Sequence, residues 1–362
     1  MTRKIAYLPG DGVGPEVSAA ARAVMMRASE VFSISLKFDE YDFGGVAIDR
    51  HGDSLPPETL TGCLGADAVF LGAVGGPKWD KGGPRPETGL LALRKQLGVY
   101  ANLRPIRVMP GMETHSSLTT DRATGVDILI IRELTGGLYF GEKHEGAERA
   151  SDSCVYTREE VMRVARIAFE AARGRRGKVT SVDKANVMAT SRLWRAAVVA
   201  LHETEYRDVE LEHVLVDAMA MKLIQRPVAF DVVLTENLFG DILSDEASVI
   251  AGSIGLAPSA SLGDGTRGLY EPIHGSAPDI AGQDKANPAG AILSGAMLLR
   301  FSLKEEAAAR AIERAVEETI AKGFGTADIG GRDSCSEFAA RVADAVRAQL
   351  ILSPRSFPRK RE

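Results

Sequence analysis

DVVLTENLFGDILSDEASVIAG, residues 231–252, reads as a strand followed by a helix. Asp231–Thr235 is a short apolar run of strand length, and Asp241–Ser253 has helical spacing. Asp241 and Asp245 lie four apart, so a helix stacks both carboxylates on one face. Like charges at that spacing repel, and a helix that accepts them has a cation to hold. Carboxylate oxygens suit Mg²⁺ or Mn²⁺. A lone DxxxD is more often a solvated face. Here the flanks LTENLFG and ASVIAG are apolar or small, which favours a metal site.

The strand-helix unit recurs along the chain. Lys4–Leu8, Ala68–Gly72, Asp127–Ile131, Lys178–Val182 and Glu212–Val216 read as further strands. Helical patterns cover Glu16–Glu30, Thr88–Gln96, Thr157–Arg173, Ala189–Glu203, Pro288–Leu299, Lys304–Lys322 and Glu337–Leu350. This alternation predicts an α/β fold with parallel strands in at least part of the sheet. His115–Thr124 is polar and reads as a loop.

The chain has 362 residues, enough for two domains or one large α/β unit. Lys plus Arg is 44 and Asp plus Glu is 49, a net charge of −5. That balance argues against a nucleic-acid partner, which needs a basic face. The one basic cluster, Arg355 to Arg361, reads as a solvated terminus. Cys63, Cys154 and Cys335 are far apart and form no CxxC pair, so neither a disulfide framework nor a zinc site is expected. The opening stretch MTRKIAYLPGDG lacks a signal-peptide core, and no apolar run is long enough to cross a bilayer. The expectation is a cytoplasmic protein with no membrane partner.

Several residues carry chemistry. Gly10-Asp11-Gly12-Val13-Gly14-Pro15-Glu16 follows a strand and opens a helix, where glycines let backbone N–H groups approach an anion. Pro15 occupies the third-glycine position, so this is not the dinucleotide fingerprint. The literal GxGxxG at Gly263–Gly268 leads into no helix and reads as a loop. Arg94, Arg104 and Arg132 form a candidate trio, with Arg132 at the carboxyl end of a buried-looking strand, where α/β ligand sites occur. Three converging guanidinium forks imply a substrate with two carboxylates.

Tyr139, among glycines, and Lys184, just past a strand, are a candidate acid/base pair if they share a pocket with a cation. Asp217 is a candidate third metal ligand or a helix N-cap. The segment His274–Ile280, followed by Ala286-Asn287-Pro288, is a turn-rich loop leading into a helix. It can hold an adenosine or serve as a plain structural turn.

GDGVGPE, PETGLLALRKQLGVYANLRP, RELTGGLYFGE, DKANVM, VDAMAM, TENLFGDILSDEAS and YEPIHGSAPDIAG…ANP occur in that order. Together they resemble the isocitrate/isopropylmalate β-decarboxylating dehydrogenases, most closely the isopropylmalate branch. The similarity runs from about Lys4 to about Leu350.

The resemblance implies a two-domain α/β fold of the isopropylmalate dehydrogenase type, with a mixed sheet and not a Rossmann fold. The expected domains are a discontinuous cofactor domain (1–100 plus 252–350) and a metal, substrate and dimer domain (101–251), followed by a tail (351–362). The implied reaction is NAD-dependent oxidative decarboxylation of 3-isopropylmalate in leucine biosynthesis.

In that reaction Arg94, Arg104 and Arg132 match the substrate-carboxylate arginines. Asp217, Asp241 and Asp245 match the Mg²⁺ or Mn²⁺ ligands, and Asp217 also borders the substrate. Lys184 matches the general base and Tyr139 the proton donor. Asp217, Lys184 and Val187 match residues contributed by the other subunit of a homodimer. Leu90 and Leu91, with Val187, match an apolar wall for the isopropyl group, while Glu87 repels a third carboxylate and borders the cofactor. Gly75, His274, Gly275, Ser276, Ala277, Ile280, Asn287 and Asp328 match the NAD pocket. Asp279 matches the ribose-binding carboxylate that selects NAD over NADP. Tartrate or D-malate dehydrogenation, and a Mg²⁺-dependent lyase using Lys184 as a Schiff-base amine, are the competing functions.

Overall fold

The computed structural model describes residues 2–80 and 82–352. The segment 353–362, with the basic cluster, lies outside the described residues. Ten strands form one sheet: β1 (Arg3–Gly10), β2 (Leu36–Glu40), β3 (Ala68–Ala73), β4 (Ala101–Arg107), β5 (Asp127–Glu133), β8 (Lys178–Asp183), β9 (Glu210–Leu215), β10 (Val232–Thr235), β11 (Pro258–Leu262) and β12 (Leu269–Pro272). Two short strands, β6 (Lys143–His144) and β7 (Ser151–Asp152), pair separately as an antiparallel ribbon.

The sheet order is β2-β1-β3-β12-β11-β4-β5-β10-β8-β9. Its flanks, β2-β1-β3-β12 and β5-β10-β8-β9, are parallel. The centre, β12-β11-β4-β5, is antiparallel. The sheet is therefore mixed, as expected, and runs unbroken across both halves of the chain.

Most parallel strands were legible because both their faces are covered, whereas the edge strand β2, LKFDE, has no buried residue and was not anticipated. β3, AVFLGA, is buried at every residue. β4, β11 and β12 carry no such signal. β11 is PSASL, and Ser259 and Ser261 are buried because they find partners: Ser259 Oγ donates to the Glu271 carbonyl (3.0 Å), and Ser261 Oγ accepts from Asn102 Nδ2 (3.1 Å). Residues Gly263–Gly268 form the connection between β11 and β12, the loop expected there.

Helices Gly14–Phe32, Ala289–Phe301, Glu306–Ala321 and Cys335–Leu352 pack together over one half of the sheet. Ala289–Leu299 is buried throughout, so this helix is apolar all round and sits inside the core. Over the other half, Arg158–Arg173 and Ala189–Glu205 pack on each other and on the sheet. The first of these opens with a full capping box between Thr157 and Glu160.

Helix Asn237–Ile250 lies over β4 and β5. It starts four residues earlier than the spacing predicts, because the Glu236 side chain accepts from Phe239 N–H and caps it. Three helices were not anticipated: Gly45–His51, Pro57–Gly65 and Val216–Gln225. The polar stretch His115–Thr124, expected as a loop, contains a helical turn at Thr120–Ala123. All three cysteines are free thiols. Among the described residues no helix is long and apolar enough to cross a membrane.

Candidate active site

The candidate residues gather at the carboxyl ends of parallel strands, where α/β sheets bind ligands. Arg132 is the penultimate residue of β5, Lys184 follows β8, Asp217 follows β9, and Glu236 with Asn237 follows β10. The antiparallel strand β4 adds Arg104 beside them, since Asn102 of β4 pairs in register with Arg132 of β5.

Arg94, Arg104 and Arg132 are all buried and converge. Arg104 donates from Nε to Asn102 Oδ1 (2.6 Å), and from Nη1 to Ser244 Oγ (2.6 Å) and Asp245 Oδ1 (3.3 Å). Arg132 donates from Nε and Nη2 to Asn237 Oδ1 (3.0 and 2.8 Å) and from Nη1 to Asp241 Oδ1. Arg94 forms a buried ion pair with Glu271 (2.8 Å), a residue 177 positions away in sequence.

Burial disfavours the charged forms of Arg104 and Arg132. It lowers Arg104 and, with repulsion from Arg104, brings Arg132 down to about 10. Both remain cations near neutral pH, and three buried cations side by side create a strong demand for anions.

Gly240 makes this approach possible, since a Cβ there would stand 2.6 Å from Arg132 Cγ.

Asp241 and Asp245 share the face of their helix that meets the arginines. Burial opposes ionisation of Asp241, but Arg132 and Arg104 outweigh it and hold its carboxyl below the usual range. Asp245 is raised, first by burial, then by its neighbour Asp241 against the pull of Arg104. Tyr139 donates to Asp241 Oδ2 (2.9 Å), and its ring lies 5.6 Å from the Arg132 guanidinium. Burial and the Asp241 charge push the phenol up to about 12, so it keeps its proton at neutral pH.

Lys184 and Asp217 form a second group. Lys184 Nζ donates to Asp217 Oδ1 (2.6 Å), and Lys184 lowers the Asp217 carboxyl. Asp217 is the second residue of helix Val216–Gln225, not its N-cap. Among the described residues no hydrogen bond or ion pair joins this group to Asp241. Among the described residues no three metal-ligating side chains of one chain gather at a point.

The helix Pro86–Leu97 places Glu87, Leu90, Leu91 and Arg94 at helical spacing on one side. Leu90 is partly buried against the small core around Leu71 and Leu93. Val187, on the turn after Lys184, is 66% exposed.

The loop His274–Ile280 sits against Gly10–Gly14. Val13 N–H donates to the Ser276 carbonyl (2.8 Å), and a Cβ on Gly12, at φ +58°, would overlap that oxygen. These glycines thus admit the neighbouring loop and not an outside anion. The Asp11 carboxylate in turn accepts from N–H groups outside this loop, those of Gly45, Val46 and Gly75 (2.7–2.9 Å). This corrects the anion-site expectation for GDGVGPE.

Ala277 adopts a left-handed φ of +36° within the loop, while Gly275 and Asp279 are exposed and Ile280 is half-buried. Asn287 Nδ2 donates to Asp328 Oδ2 (3.0 Å), tying the two together. His274 Nδ1 pairs with the Gly275 carbonyl (2.9 Å), and its buried Nε2 has no hydrogen-bond partner. That orphaned ring nitrogen is the kind of group a cofactor satisfies.

A cavity of about 310 Å³ on the opposite face of β4 and β5 is mostly apolar, and its rim arginines are paired: Arg107 with Glu317, Arg175 with Asp127, Arg300 with Glu313. It offers no converging free polar groups and is not the candidate site. Sequence reasoning missed Asn102, Asn237, Ser244 and Glu271, the buried partners that orient the arginines. Ser244, three residues from Asp241, was findable by helix spacing; the others needed the fold.

The isocitrate/isopropylmalate dehydrogenase family model matches residues 4–342. A 3-isopropylmalate dehydrogenase of Anaeromyxobacter dehalogenans is 55% identical, over 94% of this chain and 99% of its own. A chloroplastic 3-isopropylmalate dehydrogenase of Arabidopsis thaliana is 51% identical, over 96% and 87%. Among solved structures, an isocitrate dehydrogenase from Methylococcus capsulatus superposes with TM-score 0.86 at 36% identity, over 96% of this chain and all of its own.

Proposed function

This chain belongs to the isocitrate/isopropylmalate dehydrogenase family, and from that membership we propose that it converts (2R,3S)-3-isopropylmalate and NAD⁺ to 2-oxoisocaproate, CO₂ and NADH in leucine biosynthesis. The observation that carries this reading is the convergence of buried Arg104 and Arg132 on Asp241, Asp245 and Tyr139, with buried Arg94 close enough for its charge to act on Asp241. Such a cluster is built to receive a diacid next to hard oxygen ligands.

The residues fit the absent groups. Asp241 and Asp245, with Asp217 of the partner subunit, are oxygen donors suited to Mg²⁺ or Mn²⁺. The loop with the orphaned His274 Nε2, together with Gly75, Glu87, Ser276, Ala277, Asp279, Ile280, Asn287 and Asp328, would hold NAD⁺. When bound, the cation supplies Lewis-acid polarisation and NAD⁺ supplies the hydride acceptor.

The chain's own side chains do the rest. Arg94, Arg104 and Arg132 bind and orient the two substrate carboxylates. Lys184 takes the hydroxyl proton, with Asp217 steadying its amine. Tyr139, protonated at neutral pH, gives its proton to the carbon that has lost CO₂.

A homodimer with shared sites completes this arrangement. Asp217, Met221 and Ile224 lie exposed along one face of helix Val216–Gln225, and Ile242 and Val249 lie exposed on helix Asn237–Ile250. Exposed apolar side chains on two adjacent helices favour burial against a second copy. That contact would deliver Lys184, Val187 and Asp217 to the partner's arginines. We read 1–100 plus 252–350 as the cofactor domain and 101–251 as the metal and dimer domain, meeting at the antiparallel β11–β4 pair. Three free thiols suit a reducing cytoplasm.

Leu90, Leu91 and Val187 favour a branched apolar substituent over malate or tartrate, by roughly 1–3 kcal/mol for a contact of this size. The test is kcat/KM on 3-isopropylmalate against D-malate. Higher values on isopropylmalate are expected; a preference for malate would overturn the substrate assignment.

A further inference from the structure

We propose that Asn237 is the positioning residue that couples Arg132 to the loop carrying Tyr139, an inference that rests on the reading above. Asn237 is the first residue of its helix, and an asparagine there would ordinarily be taken for a cap. It is not the cap: Glu236 fills that role with its own side chain. The Asn237 amide is buried, 1% exposed, and faces elsewhere.

Its Oδ1 accepts both Nε–H and Nη2–H of Arg132. One oxygen gripping two N–H groups of a planar fork fixes the rotation of that fork, leaving Nη1 directed at Asp241. Its Nδ2 donates to the Gly136 carbonyl (3.1 Å). Gly136 opens the glycine turn that ends at Tyr139, and this turn presses on the Tyr156 ring. Tyr156 closes the circuit: its hydroxyl accepts from Asn237 N–H (3.0 Å) and donates to Glu236 Oε2 (3.0 Å). The two ends of one amide therefore serve two different groups. The oxygen sets the substrate-binding arginine, and the nitrogen sets the loop of the proton donor.

Steady-state kinetics and hydrogen exchange on Asn237→Ala and Asn237→Asp test this. Losing a buried acceptor for a charged donor should raise KM for isopropylmalate about tenfold or more in Asn237→Ala, with KM for NAD⁺ within about twofold of wild type. Asn237→Asp keeps an acceptor for Arg132 but loses the amide donor to Gly136. It should recover most of the substrate KM while kcat stays low. If Asn237→Ala does not fold, the KM and kcat split in Asn237→Asp decides.

Exchange needs no substrate, so it tests the coupling even if wild-type protein fails to turn over isopropylmalate, a failure that would fall on the functional reading alone. Both variants should exchange faster at residues 136–141 and unchanged in helix Arg158–Arg173. Unaltered kinetics and exchange, or equal loss of both KM values with faster exchange throughout, would overturn the proposal.

Discussion

Replacing Gly240 with alanine sets two effects of opposite sign against each other. Gly240 lies inside a helix, where alanine is favoured over glycine by about 0.5–1 kcal/mol. The added Cβ would stand 2.6 Å from Arg132 Cγ, 2.8 Å from Arg132 Cβ and 3.0 Å from Thr235 Cγ2. Carbon pairs settle near 3.5–4.0 Å, so Arg132 must retreat by about 1 Å. It has little room to do so: its guanidinium is tied to Asn237 and Asp241, and the clash falls at the root of the side chain. Overpacking of this kind costs about 1–3 kcal/mol, which exceeds the helix gain in most of that range.

Gly240→Ala should therefore lose up to about 2.5 kcal/mol of stability, seen as a lower Tm, and raise KM for isopropylmalate through the displaced arginine. A Tm equal to or above wild type with an unchanged KM would refute the packing argument.

Tyr139→Phe removes the phenolic proton held against Asp241; kcat should fall by roughly 10²–10⁴, and an undiminished kcat would take Tyr139 out of the mechanism. Asp279→Lys should shift the ratio of kcat/KM for NADP⁺ over NAD⁺ upward, and a ratio that stays put would mean the adenosine pocket lies elsewhere. Asp217→Asn and Asp245→Asn should each be inactive alone. Unfolded together and refolded, they should regain about a quarter of wild-type activity, because half the dimers are mixed and each mixed dimer has one intact site. No recovery would mean that each site is built from one chain.

Much of the fold could be read from the sequence because several of its parallel strands are continuous apolar runs such as DILII and AVFLG. The antiparallel centre could not. β4 carries Arg104 and Pro105, and β11 is built on buried serines, so neither shows the periodicity of a strand. Their stability comes from hydrogen bonds to partners distant in sequence, such as Ser261 with Asn102.

The site divides along the same line. Asp241 and Asp245 were visible because helix spacing is local. The convergence of Arg94, Arg104 and Arg132 was not, since it depends on β4 lying beside β5. The GDGVGPE loop misled for a physical reason: its own N–H groups at Asp11 and Val13 donate to the Ala73 and Ser276 carbonyls, contacts with segments distant in sequence.

The most direct measurement mixes purified protein with 3-isopropylmalate, NAD⁺ and Mn²⁺, and follows NADH and CO₂ with and without EDTA. A diacid clamped beside a cation predicts equal amounts of both products, and both should cease on chelation. NADH without CO₂, or turnover indifferent to EDTA, would contradict it.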